Sequence, residues 1–271
     1  MPRPAPSRRT LAALALLAAS SASPLAAQSS TATSPPPMLG GTDAAIAGGF
    51  ALGTLGAFAL DRTLAERLQR PGVRRSRALS RTATVFRLAA QPGVLVGLPV
   101  VYLVGRATKQ DGMADVGLHG TEAVAVALVS TTIVKAIVGR ARPAVDVHDP
   151  SNVALLRGIT RGGEFQSFPS GHATTAFAAA AALTAETVRR RPDARWLVGV
   201  PAYGAASLVG WSRMFDNRHW ASDVVAGAGF GTLAGVAVVR YQHTRPRNRL
   251  DRWFLGASID GRGAVPMAFV R

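Results

Sequence analysis

The sequence predicts an all-α protein, a membrane-embedded bundle of about six core helices. Its apolar segments are close to the lower end of the roughly 17–25 residues that a transmembrane helix needs. They are rich in Ala and Gly, whose small side chains allow helices to pack closely in a membrane. The chain has no cysteine, so packing, the membrane or both must hold the fold without disulfides. A soluble bundle with buried helices is the alternative. The six segments are 44–60, 86–104, 121–138, 172–188, 196–211 and 223–241.

The start of the chain has the layout of a secretory signal peptide. Arg3, Arg8 and Arg9 form a basic start, a short apolar run follows, and small residues come after it. We therefore expect residues 1–27 to direct export and to be removed. An uncleaved anchor helix is the alternative, although the apolar run is short for a membrane span.

The rest of the chain divides by composition. Residues 28–41 are rich in Ser, Thr and Pro and are expected to form a flexible lead-in. The helical domain is expected to cover residues 42–241, and residues 242–271 form a basic tail. Within that tail, segments 253–259 and 265–270 flank a Gly-containing turn and predict a short β-hairpin.

The net charge limits the partners of an exported chain. Lys and Arg number 31 against 15 Asp and Glu, which gives a formal charge of +16. Such a charge suits nucleic acid, an anionic membrane surface or anionic substrates. Nucleic acid is disfavoured because the protein is exported and because aromatic residues are not interleaved with the basic ones. Membrane lipids and a phosphorylated substrate are the expected partners.

The arginines also predict an orientation in the bacterial inner membrane. Clusters at 189–195 and 240–252 would lie in the cytoplasm by the positive-inside rule, so that loops 142–170 and 213–219 face the periplasm together. Segment 62–87 conflicts with this arrangement, because its eight arginines would lie outside if all six segments span. A retained signal, an early helix that does not span, or a soluble periplasmic protein would each remove the conflict.

The first of three chemical motifs contains one of only two lysines in the chain. Lys135 ends an apolar segment, and Arg142 follows seven residues later, on about the same face of a helix. Pro143 closes the segment. A lysine and an arginine at a helix end can bind an anion, although Lys135 could also simply extend to the membrane edge.

The second motif begins another helix. Ser170 is a typical N-cap residue, and Gly171 allows a ligand to approach the backbone. Exposed N–H groups at a helix start bind phosphate. His172 beside them could donate a proton to a leaving oxygen. A capping turn with an incidental histidine is the alternative.

The third motif pairs a histidine with an acid. His219 and Asp223 are four residues apart at the start of a helix, so they would share a face. An aspartate behind a histidine fixes its tautomer and leaves the far nitrogen free to attack. Arg213 adds a bidentate phosphate donor. A capping contact between His219 and a first-turn acid is the alternative.

Together the motifs supply a nucleophile, an acid and a set of phosphate ligands, which suits in-line phosphoryl transfer. A carboxylate-rich cluster for magnesium is missing from the sequence pattern. We therefore expect neither a metal nor a cofactor in the reaction.

The combined pattern resembles the superfamily of type 2 phosphatidic acid phosphatases, bacterial class A acid phosphatases and vanadium-dependent haloperoxidases. The family signature reads Lys-six residues-Arg-Pro, then Pro-Ser-Gly-His, then Ser-Arg-five residues-His-three residues-Asp. This sequence fills every signature position, at 135–143, 169–172 and 212–223. The resemblance covers about residues 85–241.

The resemblance implies an all-helical bundle with the three motifs at one end, which faces the periplasm in membrane members. It implies that His219, oriented by Asp223, forms a phosphohistidine. His172 would protonate the leaving group and then activate water. The residues that would hold the phosphate are Lys135, Arg142, Ser170, Gly171 and Arg213.

Several functions fit this resemblance. A lipid phosphomonoester or isoprenoid diphosphate is the favoured substrate, because the apolar helices would admit its tail. A soluble periplasmic acid phosphatase of broad specificity, a vanadate-dependent haloperoxidase and a phosphotransferase to a lipid or sugar are alternatives. A non-catalytic anion-binding membrane protein is disfavoured, since binding alone needs neither His172 nor the pair of His219 and Asp223.

Overall fold

The structure, a computed structural model, describes residues 40–245. The predicted signal peptide, almost all of the lead-in and the predicted terminal β-hairpin lie outside the described residues. Within them the all-α prediction is confirmed, because long helices account for most of the chain. The helices are α1 (Gly41–Phe58), α2 (Asp61–Leu68), α3 (Pro71–Arg74), α4 (Arg77–Leu88), α5 (Leu95–Ala107), α6 (Asp111–Val138), α7 (Arg157–Thr160), α8 (Gly171–Arg190), α9 (Arg195–Phe215) and α10 (Ala221–Thr244).

Segment 86–104 is not the single straight helix that its apolar run predicts. It contains the end of α4, a π-helical stretch over Ala89–Val94, and most of α5. Gln91 has an extended backbone (φ −141°, ψ 110°), and Pro92 follows it. Proline has no N–H to donate and crowds the preceding turn, so the helix is interrupted here.

Within residues 40–245, three helical units are long and apolar enough to cross a membrane, fewer than the six predicted segments. They are Arg77–Ala107, Asp111–Val138 and Ala221–Thr244, and α1 with α2, which meet at 63°, would together form a fourth. Helix α8, which is rich in Ala and Thr, is not among these units. It packs against α6, α9 and α10, so most of its surface contacts protein and needs few large apolar side chains.

Close packing of α10 on α8 depends on a row of glycines. Gly227, Gly231 and Gly235 recur every four residues and therefore share one face of α10. A Cβ added at Gly231 would lie 2.4 Å from the carbonyl oxygen of Thr174 on α8. Only glycine permits this approach, which brings the first turns of the two helices together.

The arginine-rich segment between α1 and α5 lies at the end of the bundle where α9 finishes. Arg74 donates from Nη1 to the carbonyl oxygen of Phe215 at 2.8 Å and stacks on its ring, with 4.6 Å from Cζ to the centroid. Gln69 donates to the same carbonyl at 3.2 Å. These contacts place α2 and α3 beside the third motif.

Candidate active site

The three motifs come together where three helix ends meet. Lys135 lies in the last turn of α6, and Ser170 and Trp220 immediately precede α8 and α10. The backbone N–H of Ser170 donates to the carbonyl oxygen of Asp223 at 2.9 Å, which joins the second motif to the third. Lys135 Nζ donates to the carbonyl oxygen of Gln166 at 2.6 Å, which joins the first motif to the segment just before the second.

Arg142 reaches this site through a turn, not through the helix face that the sequence predicts. The helix ends at Val138, and Gly139 adopts a left-handed conformation (φ +57°) that favours glycine. A Cβ at Gly139 would also lie 2.2 Å from the carbonyl oxygen of Ala154. Beyond the turn, Arg142 donates from Nη1 to the carbonyl oxygen of Arg218 at 2.9 Å. It thereby lies beside the loop of the third motif.

The second motif begins α8 as the sequence predicts. Ser170 is the N-cap residue, and its Oγ accepts from the N–H of Ala173 at 3.5 Å. Gly171 and His172 occupy the first turn, where backbone N–H groups have no acceptor within the helix. This helix start therefore offers the donors for an anion that the motif predicts.

His219 has the tautomer that nucleophilic attack requires. Its Nδ1 lies 2.7 Å from the carbonyl oxygen of Ser167. A carbonyl only accepts, so Nδ1 carries the proton and Nε2 keeps its lone pair. Burial lowers the pKa of His219 to about 3, and the positive charge of Lys135 acts in the same direction against the opposing effect of Asp223. The ring is therefore neutral over the physiological pH range.

Asp223 holds His219 less directly than the sequence predicts. The helix begins only at Ala221, so His219 precedes it and the two residues do not share a helix face. The carboxylate lies 3.7 Å from His219 Nδ1, whereas Oδ2 accepts from Ser167 Oγ at 2.5 Å and from the N–H of Trp220 at 2.8 Å. Asp223 therefore fixes both chain segments that position the ring, and its charge remains close to it.

Arg140 is central to the site, although the sequence assigned it no role. It is 3% exposed, and its Nη1 donates to Asp223 Oδ1 at 2.7 Å while Nη2 donates to Asp61 Oδ2 at 2.8 Å. Asp61 also accepts from the N–H of Ser222 at 2.8 Å. A signal for Arg140 existed, since it lies inside the first motif. Asp61 belongs to α2, far along the chain, and had no local signal.

Arg213 has an open hydrogen-bonding position. Its guanidinium is buried and donates from Nη1 to Asp216 at 2.9 Å. Its Nε is buried with no hydrogen-bond partner among the residues that the structure describes. A buried N–H without an acceptor is costly, so this donor suits an anion that enters the site.

His172 is surrounded by positive charge. Burial lowers its pKa to about 4, and the charges of Arg213, Arg87, Lys135 and Arg142 act in the same direction. Arg87 was not predicted; it lies in α4, within the arginine-rich segment. A phosphate bound in the site would offset these positive charges and so raise the pKa of His172.

Known proteins resemble this chain in both sequence and fold. The sequence model of the PAP2 superfamily matches residues 118–247, which include all three motifs. The lipid A 1-phosphatase of Porphyromonas gingivalis is 40% identical in an alignment of 101 residues that covers 33% of this chain and 22% of that protein. The chain therefore spans about a fifth of the length of this curated relative.

Among solved structures, a transmembrane PAP2-type phosphatidylglycerolphosphate phosphatase from Bacillus subtilis has a similar fold. The TM-score is 0.52 at 20% identity, over 75% of this chain and 98% of that one. LpxE of Aquifex aeolicus aligns with a TM-score of 0.49 at 23% identity, over 67% of this chain and 96% of the other. The first similarity shows that the bundle has the fold of a membrane phosphatase.

The buried charges around Arg140 generate a prediction about stability. Arg140→Gln leaves Asp61 and Asp223 buried without their shared cation, so the free energy of unfolding should fall by about 3–5 kcal/mol. Thermal unfolding of the protein in detergent measures this loss. The control is Arg62→Gln, which breaks an ion pair with Glu66 whose arginine side chain is 58% exposed, and should change stability by less than about 0.5 kcal/mol. Equal melting temperatures for the two variants would contradict the prediction.

Proposed function

We propose that this chain acts as a phosphatase of the PAP2 superfamily, whose sequence model matches residues 118–247, and that it releases phosphate from a phosphorylated lipid through a phosphohistidine. The observation that carries the proposal is the state of His219. Its ring is neutral, its proton lies on Nδ1, and Nε2 is left as the attacking atom. Basic side chains from the other two motifs surround the same site.

In the first step the phosphoryl group is transferred to His219. Lys135, Arg142 and Arg213 hold the phosphate oxygens, together with the free N–H groups at the start of α8. Nε2 attacks phosphorus and forms a P–N bond as the bond from phosphorus to the leaving oxygen breaks. His172 gives its proton to that oxygen, so a monoester releases the lipid alcohol and a diphosphate releases the protonated lipid phosphate.

The second step restores the enzyme. His172, now neutral, accepts a proton from water, and the water oxygen attacks phosphorus. The P–N bond breaks, inorganic phosphate forms, and His219 regains its lone pair. While the ring carries the phosphoryl group, Nδ1–H continues to donate to Ser167, and the nearby carboxylate of Asp223 stabilises the positive charge.

The pKa of His172 makes proton supply dependent on the substrate. In the free site the ring is largely neutral above about pH 4. A phosphate dianion among the four cations offsets their charge and raises the pKa of His172, so the acid is formed when the substrate is bound. All cations in this scheme are side chains, and the proposed reaction needs no metal ion.

An apolar cleft beside the second motif supports a lipid substrate. The cleft has a volume of about 500 Å³, and Phe168, two residues before Ser170, belongs to its lining. The other walls come from α1 and α10, with Phe50, Leu55 and Phe230 among the lining residues. A tail could lie there while its phosphate reaches His219. The relatives named above also act on phosphorylated lipids, as their names state.

We further propose that the protein is exported to the inner membrane and that the active site faces the periplasm. The arginine cluster at 189–195 supports this orientation, together with Arg240 and Arg245, the described arginines of the second cluster, because they belong to the end of the bundle opposite the motifs. The arginines of α2 and α3 lie at the active-site end, where contacts such as that of Arg74 with Phe215 hold them.

Phosphate release from a substrate panel tests the proposed function. Purified protein in mixed micelles should hydrolyse long-chain phosphatidate or an isoprenoid diphosphate with a higher kcat/KM than glycerol phosphate. His219→Ala should lower the rate by at least about a thousandfold. His148→Ala, at an exposed histidine outside the site, is the matched control and should retain full activity. Full activity in His219→Ala would contradict the nucleophile, and equal kcat/KM for glycerol phosphate would contradict the lipid substrate.

Removal of the acid should trap the intermediate. His172→Ala cannot protonate a poor leaving group or activate water, but p-nitrophenyl phosphate has a leaving group that needs little protonation. We expect a burst of about one p-nitrophenol per enzyme followed by slow turnover, with phosphate bound to the protein in an acid-labile, base-stable form. The double variant with His219→Ala should show no burst. A burst of the same size in that variant would rule out His219 as the acceptor.

The charge around His172 predicts a shift in pH dependence. Because kcat/KM requires protonated His172, it should fall as pH rises on the alkaline side. Arg87→Gln removes a positive charge that lowers the pKa of His172, so the alkaline limb should move to higher pH. Arg81→Gln changes an exposed arginine on the same helix and should leave the limb in place. A limb that stays fixed or moves to lower pH in Arg87→Gln would contradict this account.

A further inference from the structure

A second cluster of ionisable side chains lies at the end of the bundle opposite the active site. His119 on α6, Glu186 on α8 and His243 on α10 converge there. His119 Nδ1 lies 2.5 Å from Glu186 Oε1, and His243 Nε2 lies 2.8 Å from the same oxygen. One ligand atom from each residue lies within 4.8 Å of the other two. Glu186 is fully buried and His119 nearly so.

This cluster is separate from the phosphate site. His119 precedes Lys135 by sixteen residues on α6, a distance of about 24 Å along the axis, and Glu186 follows His172 by about 21 Å on α8. The chain has five histidines. Two belong to the active site and His148 is exposed, so the remaining two are the pair that meets at this buried carboxylate.

The charges around the cluster favour a cation. Arg190 donates from Nη1 to Glu186 Oε2 at 2.7 Å and also pairs with Asp115. Glu122, on the same helix as His119, is fully buried nearby. Glu186 and Asp115 both pair with the Arg190 guanidinium, whose single charge balances only one of the two carboxylates. The other negative charge attracts a cation.

We propose that His119, Glu186 and His243 form a binding site for a divalent transition metal, with Zn²⁺ as the best match. Two imidazole nitrogens and one carboxylate oxygen are typical ligands of Zn²⁺, whereas Mg²⁺ and Ca²⁺ prefer oxygen alone. A water molecule would complete the tetrahedral set. Glu186 Oε2 is already held by Arg190, which orients the coordinating oxygen in the manner of outer-shell partners.

Metal binding requires the ligand atoms to move apart by only a small distance. Zinc ligands lie about 2.0–2.2 Å from the ion, so neighbouring ligand atoms are about 3–3.5 Å apart. The present separations of 2.5 and 2.8 Å from Glu186 Oε1 differ from this by about 1 Å or less. The ion takes the place of the proton in each of these hydrogen bonds, and each ring nitrogen then presents its lone pair.

The bound ion has a structural consequence. Its ligands come from α6, α8 and α10, and these helices carry the first, second and third motifs at or next to their other ends. The ion would therefore cross-link these three helices at the ends that lie farthest from the active site. This inference does not rest on the proposed function, because neither the ligands nor their charges take part in phosphoryl transfer.

Metal titration of the full chain tests the site. Protein carrying a histidine-free purification tag is stripped with a chelator in detergent and titrated with Co²⁺, whose visible absorption reports nitrogen and oxygen ligands. We expect saturation at one Co²⁺ per chain and displacement by Zn²⁺. His119→Gln and His243→Gln should each abolish the absorption, and His148→Gln should retain it. Absorption that is missing in the wild type, or unchanged in His119→Gln and His243→Gln, would overturn the proposal.

The wild type alone provides a second test that does not depend on folding of the variants. At a hundredfold excess over Kd, Zn²⁺ should raise the Tm of the stripped protein by about 5–10 °C. Phosphate release by the stripped enzyme below its Tm should be unchanged, which separates this site from the active site. A Tm that does not respond to Zn²⁺ would overturn the proposal. The proposal would also be overturned if the stripped enzyme lost phosphate release while its Tm equalled that of the Zn²⁺-loaded protein, because the metal would then act in the reaction itself.

Discussion

The buried carboxylate of Asp223 is the constraint on which the active site depends. It is fully buried and accepts hydrogen bonds from Arg140, Ser167 and the N–H of Trp220. A buried carboxylate must keep all such partners, because an unpaired charge in a protein interior is costly. Meeting this requirement brings the first motif, the segment before α8 and the start of α10 to one point. The carbonyl oxygen that sets the tautomer of His219 belongs to Ser167, one of these partners.

The site combines two demands that oppose each other. Phosphate binding requires several cations, whereas catalysis requires a neutral nucleophile and an acid that can hold a proton. Burial keeps His219 neutral, and the surrounding cations keep His172 largely neutral until an anion arrives. In the proposed reaction, the same charges that bind the substrate therefore control when His172 becomes protonated. A buried Arg140 holds Asp61 and Asp223 together and so fixes the carboxylate next to His219.

The bundle carries distinct polar clusters at its two ends, joined by an interior of small residues. Glycines on α10 allow its backbone to approach that of α8 closely between the two ends. At one end this brings Ser170 next to Asp223; at the other it brings Glu186 next to His243. Gln69 and Arg74 hold α2 and α3 at the active-site end by donating to the carbonyl oxygen of Phe215. The interface between α8 and α10 thus both packs the bundle and positions the polar cluster at each end.

The sequence alone determined the helical class, the three motifs and the capping role of Ser170, because periodicity, residue type and spacing are local properties. Tertiary structure decided the rest. Asp61 lies 79 residues from Arg140 and has no local signature, so only folding could reveal the pair. The break at Gln91 and the turn at Gly139 moved residues off the faces that helical spacing predicts. The direct partner of His219 is a backbone carbonyl, and every residue has one, so no pattern of side chains could identify it.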